Sequence, residues 1–449
     1  MSSSPPTTPL RVVIVSQYFR PEDVQVPVTL ADDLAARGHH VIVVTGWPNY
    51  PSGRLFDGHR QRLRHVERQG RVTVRRVPLY VDHSSRGLAR MANYLSFAVM
   101  SILSAGVARR ADVCYVYATQ MTATLGPWIW RRLFGLPYVL HVQDLWPESI
   151  VDSGMLGRGA SRSVEAILVP WLRRVYGQAS GIVALGPTMT RLLSRRGAAP
   201  GRLSTVFNWA PADRVPLPRS QPLTVSESEA TQATHFVYAG NLGDLQDLDV
   251  LLNAMAQLGD DVEARLTIAG DGTAAARLRS LAAELELTTV QFLGQVDPEQ
   301  MRRLNHASDF QIVSLKGLEI FKGTIPSKFQ NSLASGIPVV TTVHGDVSDL
   351  VTAHGLGYVA RPSDAASLAE ALRQAAAASP AERAEMGSRA SRFYRDRMSQ
   401  HAGVSAIEAI LQEARRPDRS SHTPPSATSV DDLDTNTNTN TNTRTRHDR

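Results

Sequence analysis

The chain has a single cysteine, Cys114, among 449 residues. An intramolecular disulfide, a four-cysteine zinc site and a CxxC redox pair are therefore excluded, and a reducing compartment fits. Lysine is nearly as scarce. Of 48 basic residues only Lys316, Lys322 and Lys328 are lysine, and all three fall in one 13-residue window. Long apolar runs are missing too: the longest, LSFAVMSILSAGVA at 95–108, has 14 residues and ends at Arg109-Arg110, too short to span a bilayer as a helix. The opening MSSSPPTTPL has no basic stretch followed by an apolar one, so no secretory signal is expected in it. Neither GxGxxG nor GxxxxGK[ST] occurs, which argues against a standard dinucleotide site and a P-loop.

What is present is 43% hydrophobic and 20% charged residues, the profile of a soluble globular protein of two or three domains. The net charge of +6 hides an asymmetry. Residues 1–200 hold 24 basic and 12 acidic residues, residues 201–414 hold 18 and 25, and the remainder 6 and 5. A basic front half attracts polyanions: nucleic acid, anionic lipid or a diphosphate. An arginine-rich solvated surface is the plainer reading. The lysine window is sharper, because an ammonium is a compact phosphate binder where a guanidinium is too wide.

Along the chain, β-branched runs at 10–16, 40–45, 72–78, 113–117, 138–142 and 181–184 alternate with helical stretches such as 29–37. After a Pro-, Ser- and Glu-rich stretch the pattern restarts, with strands expected at 235–239, 265–269, 290–293, 310–314 and 338–341 and a helix near 248–257. Such alternation predicts parallel, doubly wound sheets. The expected organisation is a disordered N-terminus at 1–9, a first α/β domain at 10–210, a linker at 211–234, a second α/β domain at 235–385, helix through 386–414, and a disordered Asn/Thr-rich tail at 415–449.

Open parallel sheets bind ligands beyond the carboxyl ends of their strands, so the loops there carry the candidates. Gly240-Asn241-Leu242-Gly243 stands at a strand–helix junction, where backbone N–H groups and a helix dipole favour phosphate. Gly270-Asp271-Gly272 ends the next strand. The window 316–340, KGLEIFKGTIPSKFQNSLASGIPVV, follows a strand, and Ser327 is expected as the N-cap of its helix. Asp247-Leu-Asp249 resembles a DxD metal motif, but its place at a helix start favours an N-cap. In the first half, Asp144 lies just past a strand and His141 within it. Residues 91–107 read equally as a surface-docking helix and as a buried one.

These stretches carry a family resemblance. SQYFRPE (16–22), RGHHVIVVTGWPNYPSG (37–53), HVQDLWPESI (141–150), ASGIVALGPTMTRLL (179–193), VFNWAP (206–211), FVYAGNLGDLQDLDVLLNAM (236–255), TIAGDG (267–272), FLGQV (292–296) and IPSKFQNSLASGIPVV (325–340) resemble family 4 glycosyltransferases of the GT-B fold. Within them the chain is most similar to bacterial L-fucosamine transferases of O-antigen and capsule synthesis. The resemblance implies two Rossmann-like domains facing across a cleft, the final helix crossing back onto the first.

It also implies a metal-independent, retaining hexosyltransferase with no cofactor. The donor would be a UDP-sugar held by Gly240, Asn241, Gly243, Gln246, Gly270, Asp271, Gly272, Thr324, Ser327, Lys328 and Asn331. The acceptor, a polyprenyl-diphosphate-linked glycan, would meet Tyr18, Asn49, Tyr50, Gln143 and Glu148. The implied place is the cytoplasmic face of the membrane, in peripheral contact with anionic lipid and with no nucleic-acid partner.

The chain departs from the common family pattern at several sites. Asn241 or Leu242, and Gln246, stand where many members have Arg and Lys. Gly323 and Asn331 replace a Glu pair, and Gln143-Asp144 replaces His-Asp. The lysine cluster is expected to supply the missing positive charge and Asn331 a hydrogen bond to ribose. Catalysis needs the charge on the departing diphosphate to be stabilised by fixed donors. Lys328 and Lys316 are assigned that part, with the Gly243 N–H helping. Same-face attack would hand the acceptor proton to a leaving-group oxygen, Asp144 and His141 being the alternative bases. Two other readings stay open: an epimerase of the same layout, for which the lysine window offers only Glu319, and a non-catalytic sugar-nucleotide binder.

Overall fold

The computed structural model describes residues 8–82, 87–146, 158–210, 233–259 and 262–415. The tail beyond 415, the first seven residues and most of the linker lie outside them.

The first domain is built on an eight-stranded sheet in the order β3-β4-β2-β1-β5-β6-β7-β8. Its strands are β1 (Arg11–Ser16), β2 (His40–Thr45), β3 (His65–Gln69), β4 (Val72–Arg76), β5 (Val113–Ala118), β6 (Tyr138–Val142), β7 (Gly181–Ala184) and β8 (Leu203–Thr205). The central strands are apolar on both faces: all six residues of VCYVYA in β5 are buried, as a sheet covered by helices on each side requires. The helix Gln25–Ala36 buries Val26, Leu30, Ala31, Leu34 and Ala35 along one stripe.

The second domain has six parallel strands, β9 (Thr234–Ala239), β10 (Ala264–Ala269), β11 (Val290–Gly294), β12 (Phe310–Val313), β13 (Val339–Thr341) and β14 (Gly357–Val359), in the order β11-β10-β9-β12-β13-β14. The architecture is thus two Rossmann-like α/β domains.

Several elements depart from the sequence reading. The first sheet is not wholly parallel, because β3 pairs antiparallel with β4 through a tight turn at Gly70. β8 and β14 have three residues each, too few to show a period. The stretch 386–414 is not one helix: it holds the end of the helix Pro380–Phe393, a π-helical turn at Tyr394–Met398, and the helix Gln400–Ala414. Ser399 opens the last of these by accepting from the Ala402 N–H, so the chain changes direction there. That last helix packs Val404, Ile407 and Leu411 against the first sheet, and Arg37 and His39 both bond Glu408.

One cap is corrected and one holds in position only. Ser327 is the first residue of its helix, Ser327–Ala334, and Pro326 occupies the cap position. Asp247 stands at the N-cap of the helix Leu248–Ala256, at φ 56°, but its side chain makes no cap bond and accepts from Ser363 Oγ at 2.6 Å. Among the described residues no helix is long and apolar enough to cross a membrane.

Candidate active site

β9 and β10 end side by side in glycine. Gly240 (φ 137°) and Gly270 (φ 131°) hold backbone conformations that side chains avoid. Each also needs the space: a Cβ on Gly240 would overlap Lys328, and one on Gly270 would overlap the Gly240 carbonyl. Lys328 comes from the first turn of the helix Ser327–Ala334. Its Nζ donates to Tyr238 Oη at 2.7 Å and stands 4.5 Å from that ring's centroid. Tyr238 Oη in turn donates to the Asn241 carbonyl at 2.7 Å. Among the described residues no carboxylate pairs with Lys328, and burial pushes its pKa down to about 8.

Around this ammonium lies a cavity of about 600 Å³ that brings together Gly240, Asn241, Gly270, Asp271, Lys328 and Asn331. It is also walled by Gln295, Met301, Asn305 and Ser332. None of the four was singled out from the sequence as a donor residue: Gln295 and Ser332 lie in matching stretches but have no charge or glycine pattern of their own, and the helix Pro298–Ala307, which carries Met301 and Asn305, buries no residue fully.

Other expected donor residues stand elsewhere. The Gly243 N–H is not free to help a phosphate, since it donates to Gln246 Oε1 at 3.1 Å, a contact that Asn241 Nδ2 shares at 3.3 Å. Lys316 lines neither this cavity nor the next; its backbone N–H is bonded to Leu245. Lys322 is paired with Glu319 at 2.7 Å. Gly272 N–H donates to Asp271 Oδ1, and Thr324 N–H to the Phe321 carbonyl. Of the three lysines, one reaches the cavity.

The helix Ser327–Ala334 divides two sites. Lys328 and Asn331, three residues apart and so on one side, face the cavity just described. Ser327 and Gln330 face a second of about 640 Å³, which the first domain completes with Tyr18, Tyr50, Arg90, Tyr94, Tyr117 and Asp144. Gln330 also donates across the domains to the Asn208 carbonyl at 2.7 Å.

Asp144 is open to this cleft and has no hydrogen-bond or ionic partner among the described residues. Surrounding protein raises its pKa, and its charge adds to the burial that raises the Tyr117 phenol. The Tyr18 and Tyr50 rings meet at a tilt of 43°, their centroids 5.1 Å apart. Glu22 places them. Its buried carboxylate accepts the Phe19 N–H at 3.0 Å and the Asn49 and Tyr50 N–H groups at 2.8 Å each. The loop after β1 is thereby tied to the loop after β2. Burial raises the Glu22 pKa against those three donors.

Four first-domain expectations remain, His141, Asn49, Gln143 and Glu148. His141 is fully buried inside the sheet; Tyr115 Oη sits 2.5 Å from its Nδ1, and burial pushes its pKa down to about 3. It cannot act as a base in the cleft. Asn49 is equally sealed, its Nδ2 donating to the Trp47 carbonyl. Gln143 accepts from Asn208 Nδ2 at 2.7 Å at the cleft's edge. Glu148 lies outside the described residues. The Asp247/Asp249 pair is occupied, Asp247 by Ser363 and Asp249 by Arg277. Among the described residues no group of three or more His, Cys, Asp or Glu converges as a metal would require.

Comparison with known proteins agrees with this layout. Residues 25–209 match the model "Glycosyl transferase 4-like domain" and residues 224–393 match "Glycosyl transferases group 1". The chain is 25% identical over 350 residues to the putative colanic acid biosynthesis glycosyl transferase WcaI of Escherichia coli K12, covering 76% of this chain and 85% of that one. It is 26% identical over 295 residues to the probable glycosyltransferase WbjE of Pseudomonas aeruginosa, covering 64% and 71%. The fold matches Anabaena Alr3699/HepE, solved in complex with UDP, at TM-score 0.61 and 15% identity over 90% of this chain and 99% of that one. It also matches WaaG, a glycosyltransferase involved in lipopolysaccharide biosynthesis, at 0.55 and 17% over 89% and 99%. Two family models that together span most of the chain, on the two-domain fold they require, make this protein a GT-B glycosyltransferase of group 1 with a GT4-like first domain, similar to enzymes of polysaccharide biosynthesis.

Proposed function

We propose that the protein transfers a sugar from a UDP-sugar to a polyprenyl-diphosphate-linked glycan, with retention and without a metal, in O-antigen, capsule or exopolysaccharide synthesis at an anionic membrane surface. The sugar we favour is N-acetyl-L-fucosamine or a related amino or deoxy sugar, on the sequence resemblance.

One observation carries the donor side. An ammonium that has no carboxylate partner among the described residues, Lys328, stands against two glycine junctions in a cavity that also holds Asn331. A diphosphate supplies the counter-charge missing there, and the bare Gly240 and Gly270 backbones let it approach. The solved UDP complex of a protein of the same fold supports this choice.

The reaction then follows from charge. The bond from the anomeric carbon to the β-phosphate oxygen breaks, and the acceptor oxygen bonds to the same carbon from the same face. Negative charge grows on the departing UDP beside Lys328, a fixed donor in a partly buried site, where such stabilisation is strong. The acceptor proton passes to a leaving phosphate oxygen. Asp144, across the helix Ser327–Ala334, accepts a hydrogen bond from a neighbouring acceptor hydroxyl and so aims the reacting oxygen, whose own proton points to the phosphate. Tyr18 and Tyr50 offer apolar ring faces to the acceptor sugar.

Calorimetric titration with UDP, GDP and ADP, with and without magnesium, tests the donor half. Selective, metal-independent UDP binding is expected. Binding of none of the three would remove the nucleotide from this site.

A further inference from the structure

We propose that one face of the first domain is a docking surface for an anionic lipid bilayer, formed jointly by the outer stripe of the helix Gly87–Ile102 and the outer face of the β3–β4 hairpin. The proposal deepens the membrane part of the reading above and rests on it.

The helix is apolar on two sides. Phe97, Ala98 and Ser101 are buried in the domain. Leu95, Val99 and Leu103, spaced by four residues, are 47%, 53% and 56% exposed. At that spacing they form one outward stripe. A stripe of this kind on a 16-residue helix suits lying in a membrane interface, not crossing it.

The hairpin joins the same surface through its register. Val66 pairs directly with Arg75 across the antiparallel ladder, so the two project to one face. Arg75 Nη2 donates to the Leu103 carbonyl at 3.3 Å, which places that face beside the end of the helix. Val66 is 59% exposed there. Arg68, two residues along β3, shares its face by alternation. Arg64 is also close, since after burial its charge is what depresses the Arg75 pKa.

The charge of the hairpin selects the occupant. Arg60, Arg62, Arg64 and Arg71 are exposed, and among the described residues none has an ionic partner. Glu67, the acid of β3, is held by Arg76 at 2.7 Å. Unpaired guanidinium groups beside an apolar stripe match a surface that is densely anionic above and hydrocarbon below. The same helix turns Arg90 and Tyr94 into the acceptor cleft. A bilayer on the outer stripe therefore lies next to the site where a lipid-borne acceptor reacts.

Sedimentation of the full chain with phosphatidylcholine vesicles, alone or mixed with phosphatidylglycerol, at low and high salt is the test. Salt-sensitive binding to the mixed vesicles and little to the neutral ones is expected. Arg62→Glu/Arg64→Glu should weaken it by about tenfold or more, and Leu95→Ser/Val99→Ser should weaken it at any salt. Both double variants change exposed side chains only, and calorimetric UDP binding should stay at the wild-type value. Equal binding to neutral vesicles, no binding, or wild-type binding by both variants would overturn the surface. A dimer in sedimentation velocity that Leu95→Ser/Val99→Ser dissolves would assign the stripe to a second copy and overturn it as well. Failure of UDP binding with vesicle binding intact would instead count against the donor reading alone.

Discussion

Asp346 of the second domain caps a helix of the first. The helix Pro187–Arg195 begins after Gly186, which has no side chain to cap it. The Asp346 carboxylate takes that place: Thr188 N–H donates to its two oxygens at 2.9 and 3.0 Å, and Thr188 Oγ1 to Oδ1 at 2.6 Å. A Cβ on residue 186 would stand 2.5 Å from Asp346 Oδ2, so the missing side chain is the condition for the contact. The carboxylate is fully buried and also lies 3.8 Å from Arg191.

Replacing Asp346 by Ala removes a cap and leaves two donors of Thr188 unmet between the domains. The expected loss is about 1–3 kcal/mol, from the worth of a helix cap and of a buried donor left unpaired. Urea unfolding would read it as a lower midpoint. An unchanged midpoint would show that the contact adds nothing to stability.

Lys328→Ala should weaken UDP binding by about 2–3 kcal/mol, the worth of a charge-assisted hydrogen bond. Lys328→Arg should rescue poorly, because Gly240 packs directly on the Lys328 side chain and a planar guanidinium is wider. Calorimetry on both variants, with circular dichroism to show that they fold, decides the matter. Wild-type affinity in Lys328→Ala would remove the residue from the donor site.

The pKa of Lys328 sets a pH dependence for the free enzyme. Burial has lowered it to about 8, and a bound diphosphate favours the charged form and raises it again. Below pH 8 the ammonium is already present and UDP affinity is flat on this account. Above pH 8 the proton must be taken up on binding, so affinity falls as pH rises. Titrations at pH 7 and 9.5 in buffers of different ionisation enthalpy would show proton uptake only at the higher pH. Lys328→Ala should lose that dependence.

Asp144→Asn should leave UDP binding intact and lower turnover by about 10²-fold, the lower end of what a positioned acid–base group contributes. The carboxylate must be ionised to accept from the acceptor hydroxyl, and burial raises its pKa. Activity should therefore fall with decreasing pH from above the ordinary carboxylate range, and the Asn variant should lack that acid limb. Full turnover in the variant would leave the acceptor hydroxyl without this partner.

Glu22→Ala would strand the Phe19, Asn49 and Tyr50 N–H groups, all bonded to one carboxylate. The loops that carry Tyr18 and Tyr50 should loosen. A higher KM for the acceptor at unchanged UDP affinity is expected, together with a stability loss of about 1–3 kcal/mol. If acceptor KM stays put, the aromatic pair does not touch the acceptor.

The central strands of both sheets were legible as apolar β-branched runs spaced by helical stretches, because a strand buried on two faces has no room for polar residues. β3 escaped because one of its faces meets water and its sequence, HVERQ, reads as polar. The helix 87–102 stayed ambiguous for a related reason. Apolar residues point both inward and outward, and periodicity does not tell a buried stripe from an exposed one.

The amino-acid sequence alone determined which residues were available for chemistry: one isolated lysine window, glycine-ended strands, and a carboxylate just past β6. Those are local properties of composition and strand termini, and they survive without coordinates. Which of them converge was decided by tertiary structure. Lys328 reaches the cavity while Lys316 does not and Lys322 is neutralised by Glu319. Gln246 already occupies the Gly243 N–H, and His141 is sealed inside the strand that leads to Asp144. Side-chain direction, burial and the partner already taken depend on elements far apart in the chain, as the capping of residue 188 by residue 346 shows. No local pattern encodes contacts of that kind.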